Sequence, residues 1–293
     1  MNSQKPKPSN FILLIALLTI SGALAQSPWT QKKGEAYTQV GFSTIPNYTD
    51  LYGDPNFETE RTISDNTFQL YGEYGITDKT TLLLNVPLKN ISAGELNLPA
   101  GDGGALTIEE TVTSLGNITA GVRHNFYNKK WLVSGQLDVS LNTGTYNELS
   151  GIRTGYDAFT FTPLVSVGRG FDQFYVQAFT GVDLRTNDYS SNFKIGGEAG
   201  AKILKRIWVI AFLDVVTSFE NGDFATPLEN TLTGLYVNDQ EFTGFGLKTI
   251  VEATPRLGFI AGFGSVLSDA NNNVPRQASY NFGLYFKFNK NNK

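Results

Sequence analysis

The rhythm of strands and connections constrains this chain more than any single motif in it. About twelve stretches of roughly 9 to 14 residues alternate large apolar side chains with polar or small ones. They run approximately over 35–44, 66–76, 80–91, 112–126, 131–142, 157–170, 174–185, 192–204, 207–219, 241–253, 256–267 and 279–288. A period of two is the signature of a β-strand. These lengths exceed the 5 or 6 residues usual in globular sheets and suit tilted strands that cross a bilayer. The connections alternate long and short. "IPNYTDLYGDPNFETERTISD", "SAGELNLPAGDGGALTIEET", "TGTYNELSGIRTGY" and "ENGDFATPLENTLTGLYVNDQ" are long, whereas "TDK", "YNKK", "FDQ", "KR" and "TP" are short. Outer-membrane barrels have this asymmetry, with tight turns on the periplasmic side and longer loops outside. Two packed sheets of a soluble sandwich have no reason to keep it.

The N-terminus agrees. Lys5 and Lys7 precede the apolar run "FILLIALLTI", and "ALA" stands before Gln26, which is the pattern of a secretory leader cleaved between Ala25 and Gln26. The run is too short to span a bilayer as a helix, which takes about 20 residues. The expected organisation is a signal peptide over 1–25 and one β-barrel over 26–293. Cysteine is absent, which removes disulfides and thiolate metal sites. Losing the leader takes the formal net charge from −4 to about −6, so nucleic acid is not an expected partner. The charged fraction is only 17%, with 30 glycines, 21 phenylalanines and 13 tyrosines, which suits an all-β chain.

Parity assigns the two faces of each strand. In "WLVSGQLDVSLN", Trp131, Val133, Leu137, Val139 and Leu141 share one face, and Ser134, Gln136, Asp138, Ser140 and Asn142 the other. Applied throughout, parity points Glu73, Asp138, Asp183, Glu198, Asp214 and Glu252 into the lumen, against Lys89, Arg123, Arg185, Lys194, Lys202, Lys248 and Lys287. The signs nearly cancel, so the set reads either as a bracing network of ion pairs or as a polar constriction that selects solutes. Tyr74, Phe126, Tyr127, Trp131, Phe171, Phe174 and Phe288 gather near the short turns, where an interfacial aromatic girdle belongs.

No catalytic set stands out. The single histidine, His124, shares parity with Val122 and Phe126 and faces lipid rather than a lumenal substrate. Asp50, Asp54 and Glu58, or Asp269 with Asn271, Asn272 and Asn273, supply oxygen atoms without the spacing of a known calcium loop. No convincing helix and no phosphate-binding glycine loop appears. The expectation is a protein that is not an enzyme and carries no cofactor or metal.

The block "YGEYGITDKTTLLLNVPL", followed by "SLGNITAGVRHNF", resembles the strand-turn-strand and "GLGD" patterns of an outer-membrane transporter family linked to the meta-pathway of phenol degradation. Asn117 stands where that pattern has Asp. The resemblance implies a channel-like barrel for small, hydrophobic or aromatic compounds. The resulting expectation is an all-β, up-and-down antiparallel transmembrane barrel in the outer membrane, with both termini periplasmic. It would act as a passive channel or uptake transporter for a solute the sequence does not name. Alternatives are a structural, adhesive or secretion-related barrel working through its loops and, less favoured, a lipid-modifying enzyme. The expected partners are outer-membrane lipid and the barrel assembly machinery, since barrels end in an aromatic strand such as "YNFGLYFKF". Closure against "EAYTQVGFST" would leave that strand no free edge.

Overall fold

The computed structural model describes residues 18–19, 26–97, 105–267 and 271–289. The expected leader therefore lies almost wholly outside the described residues, as does Asp269. Twelve antiparallel strands form a closed barrel. They are β1 (Ala36–Tyr52), β2 (Phe57–Thr77), β3 (Thr80–Ala93), β4 (Glu110–Leu115 continued by Thr119–Asn128), β5 (Leu132–Ser140) and β6 (Thr160–Gly170). They continue as β7 (Phe174–Arg185), β8 (Asn192–Leu204), β9 (Ile207–Ser218), β10 (Phe242–Glu252), β11 (Leu257–Val266) and β12 (Ser279–Phe288). Each strand pairs with its sequence neighbours. β12 returns to β1 in unbroken register, from Tyr280 opposite Thr44 to Phe288 opposite Ala36. Backbone groups in hydrocarbon need internal partners, and closure supplies them.

The outer face is apolar by alternation. Phe68 and Leu70 are 51% and 52% exposed on β2, whereas Tyr71 and Glu73, of opposite parity just beyond them, are buried. Phe282, Leu284 and Phe288 are likewise exposed, with Tyr285 buried. In water so broad an apolar surface would drive aggregation, and in a bilayer it is the solvated face. The seven girdle aromatics are all exposed. Two adjacent ones, Phe126 and Tyr127, both face outward because the β4–β5 register shifts between Asn125 and Tyr127.

β4 is interrupted over 116–118 for a local reason. Pro87 on β3 has no N–H to offer its neighbour, and its carbonyl accepts from Gly116 N at 2.9 Å. Asn117 then caps the detour, donating through Nδ2 to Leu141 O (2.7 Å) and Tyr156 O (2.9 Å). An aspartate could not donate either bond.

The stretch 45–65, expected as a long loop, is instead strand. β1 and β2 outrun the bilayer and stand above the rim as a twisted hairpin, turning only at 53–56. Polar residues of that stretch hid its alternation, in which Tyr48, Leu51 and Ile63 are buried at 2%, 0% and 0% exposure. They pack with Ile91 and Ala93 of β3 and with Ile152 and Leu235 of two incoming loops. One loop carries a two-residue ladder, Tyr146–Asn147 with Ile152–Arg153. Another carries a short helix, α1 (Leu228–Thr231), where no helix was expected. Buried Arg61 of β2 pins three loops at once. Nη1 donates to Thr107 Oγ1 (2.7 Å) and Ser150 O (2.8 Å), and Nη2 to Glu229 O (2.9 Å). Gly151 makes this approach possible: its φ is +70°, and a Cβ there would strike the Glu229 carbonyl. The loops thus form a packed roof with a core of its own.

Replacing Arg61 by Ala removes the shared anchor while leaving every transmembrane strand intact. The expected outcome is faster protease cleavage at 148–152 and 226–235 with the barrel still folded, read by limited proteolysis of the reconstituted protein.

Candidate functional site

The lumen is crossed by tiers of charge. Lowest, at the short-turn end, Lys202 Nζ lies 2.7 Å from Glu252, whose other oxygen accepts from Trp208 Nε1 at 3.2 Å. Lys287 lies over the Tyr285 ring at 5.1 Å. Next comes Arg123, 0% exposed, paired with Glu73 at 3.1 Å. Its Nε donates to Gln136 Oε1 (2.8 Å), and Tyr71 Oη donates to Glu73 (2.7 Å). Higher, Lys248 pairs with Glu198, which also accepts from Tyr175 Oη at 2.7 Å. Uppermost, Asp183 binds Lys194 (3.1 Å) and Arg185 (3.6 Å) and accepts from Thr162 Oγ1 (2.6 Å), while Lys89 meets Asp65 at 2.8 Å.

The structure thus brings together Glu73 with Arg123, Asp183 with Arg185 and Lys194, Glu198 with Lys248, and Glu252 with Lys202. Asp138 and Asp214 join no ion pair among the described residues. Each lies over a glycine of the neighbouring strand, Gly121 and Gly196 respectively, and Asp138 accepts from Gln136 Nε2 at 2.6 Å. Asp65, the partner of Lys89, fell in a stretch expected to be loop.

A second participant has no periodic signal at all. Residues 26–34 do not leave the barrel but turn up into it. Pro28 O accepts from Ser134 Oγ (2.6 Å), and Trp29 O from Arg123 Nη1 (2.8 Å). Gln31 donates through its backbone N to Thr81 Oγ1 (2.8 Å) and through Nε2 to Glu73 (2.6 Å). The Trp29 ring meets Tyr175 edge-on at 5.5 Å. This segment obstructs the short-turn half of the lumen, and Arg123 holds it and the wall together.

From above, the roof closes in. Tyr156 packs edge-on against Tyr189 and Tyr236, both at 5.3 Å, and Tyr189 stacks on Phe224 at 4.0 Å. Arg185 lies over the Tyr156 ring at 4.2 Å and Lys89 over Tyr236 at 5.3 Å. Between floor and roof remains a cavity of 410 Å³, bordered by Gln26 below and Tyr156 and Tyr236 above. Its walls carry Lys89, Arg185, Lys194, Lys248, Asp138 and Asp183 among neutral amides and hydroxyls such as Gln69, Asn85, Thr119 and Ser140. The cavity is wide enough for a small organic molecule, and its paired charges give no single-sign lane.

His124 sits on the outer wall. Nδ1 is 2.9 Å from Thr80 Oγ1 and its ring meets Phe126 at 4.9 Å. With Val122, Phe126, Leu137, Val165 and Phe193 it borders an apolar groove on the lipid side. Asp50 and Glu58 face each other across the β1–β2 hairpin. Asn271 accepts from Thr243 N at the start of β10, and Asn272 and Asn273 donate to the loop carbonyls of Asp239 and Asn238. No group of three metal-ligating side chains occurs among the described residues.

Fold and lumen define the class: a twelve-stranded transmembrane β-barrel of the outer-membrane type. Among solved structures, the chain is similar to a COG4313 outer membrane channel from Pseudomonas putida F1. The TM-score is 0.67 at 12% identity, covering 92% of this chain and 100% of that one. The KdgM porin is more distant, at TM-score 0.52 and 7% identity, covering 86% and 99%. No protein-family model matches the chain, and no curated protein matches it.

Arg123→Ala leaves Glu73 buried without a counter-charge and removes the donor to Trp29 O. A loss of about 3–5 kcal/mol is expected, read as a lower unfolding temperature in detergent. The roof tyrosines make a second prediction. Burial pushes the Tyr189 hydroxyl up to about 12 and raises those of Tyr156 and Tyr236 above the ordinary 10.0. The unfolded chain gives up these protons first. Their contribution is therefore complete below pH 10.0 and declines as pH rises through the folded values. Loop proteolysis should accelerate between pH 10.0 and about 12 and stay flat near neutrality.

Proposed function

We propose that this protein is a passive uptake channel of the outer membrane for small molecules, with both termini on the periplasmic side. The observation that carries the reading is the lumen. It is walled by paired charge and neutral hydrogen-bonding groups, with a molecule-sized cavity between a hydrogen-bonded floor and a loop roof. Short turns at one rim and a packed loop layer at the other support the orientation. Outer-membrane residence is supported by the similarity in fold to an outer membrane channel and a porin.

The balance of lumenal charge favours uncharged solutes, since a passing ion would meet no continuous stripe of opposite sign. Tyr71, Tyr156 and Tyr236 offer aromatic surface beside Gln39, Gln69 and Asn85, a combination that suits a small ring bearing hydroxyl groups. This agrees with the resemblance to the transporter family linked to phenol degradation, from which the aromatic class is carried over.

The test is reconstitution into planar bilayers of the intact barrel and of a variant lacking residues 26–33 of the mature chain. The intact barrel should show small or rare steps, and the deletion should raise conductance several-fold with weak ion selectivity. Silence from both, with no solute flux into liposomes, overturns the channel reading.

A further inference from the structure

Asp138 is the one carboxylate bordering the lumenal cavity that has no cationic partner among the described residues. Asp183 has Lys194 and Arg185, and the acids of the tiers above and below are paired in the same way. Asp138 receives a hydrogen bond from the neutral amide of Gln136 at 2.6 Å and lies over Gly121. A carboxylate in a confined, partly dry space calls for a charge of opposite sign.

Gln26 borders the same cavity. The chain is fixed just beyond it, because Ser134 Oγ holds Pro28 O at 2.6 Å. Ser134 and Asp138 stand on the same face of β5, so the residue two positions before Pro28 enters the space that Asp138 borders. The Gln26 side-chain oxygen is buried there with no hydrogen-bond donor. Gln26 is also the residue that the "ALA" motif makes the first of the mature chain.

We infer that cleavage after Ala25 leaves the α-ammonium of Gln26 inside the lumen as the counter-charge of Asp138. The inference rests on that cleavage and on the lumenal seat of residues 26–33, and not on conduction. It has a chemical consequence. A free N-terminal glutamine cyclises: the α-nitrogen attacks the side-chain amide carbon, the new C–N bond closes a lactam ring, and ammonia leaves. An ammonium held by a carboxylate has no lone pair with which to attack. Pairing with Asp138 therefore preserves an uncyclised Gln26 and ties the end of the lumenal segment to β5.

The test uses the full-length precursor expressed and purified from outer membranes, its folding checked by the change in gel mobility on heating. Its N-terminal peptide is weighed, and the amine is titrated with an acylating ester at neutral pH. The wild-type peptide should begin at uncyclised Gln26, and its amine should react about tenfold more slowly in the folded barrel than after unfolding. In Asp138→Asn the peptide should lose ammonia, or the amine should react as fast as in the unfolded chain. Asp138→Glu should restore protection, and Asp214→Asn should leave it unchanged. A peptide that begins elsewhere overturns the cleavage. Cyclised Gln26 in the folded wild type, equal reactivity folded and unfolded, or protection that survives Asp138→Asn overturns the ion pair. The wild-type comparison alone decides the matter should Asp138→Asn fail to fold.

Discussion

Every strand of this barrel crosses a medium that cannot hydrogen-bond to it, and the seam between β12 and β1 is what makes that tolerable. With Tyr280 opposite Thr44 and Phe288 opposite Ala36, no edge of the sheet is left bare to lipid. Closure also fixes parity for all twelve strands together. Apolar side chains go to lipid and charged ones are confined to a lumen too narrow to hydrate each of them fully. The ion-pair tiers follow from that confinement, because a lone charge there would cost several kcal/mol, on the order of the whole stability of a small domain.

Floor and roof use different physics. The floor is polar: carbonyls of Pro28 and Trp29 take hydrogen bonds from Ser134 and Arg123 that the wall would otherwise leave unmet. Contacts of that kind exchange readily for water. The roof is apolar inside, built on Tyr48, Leu51, Ile63, Ile91, Ile152 and Leu235, with Arg61 joining its loops. Burial of that sort resists piecemeal opening.

The strands were legible because lipid on one side and polar lumen on the other impose a period of two, and most boundaries agree to within a few residues. Parity also suggested the lumenal set, and it holds along a strand only where no register shift intervenes, as one does between Asn125 and Tyr127. What escaped had no period or a disguised one. Asp65 and the hairpin above the rim lie among Asn, Thr and Asp residues that also spell a loop. Residues 26–34, the roof tyrosines and the small helix at 228–231 take their places from contacts with strands far away in the chain.

By itself the sequence determined the class and the strand number, because those depend on local alternation and on the length needed to cross a bilayer. Only the tertiary structure decided which charges meet, that residues 26–34 turn inward, and that loops cover the mouth opposite the short turns. Several of those outcomes join residues 50 positions apart, such as Arg123 and Glu73, and no pattern along the chain encodes them.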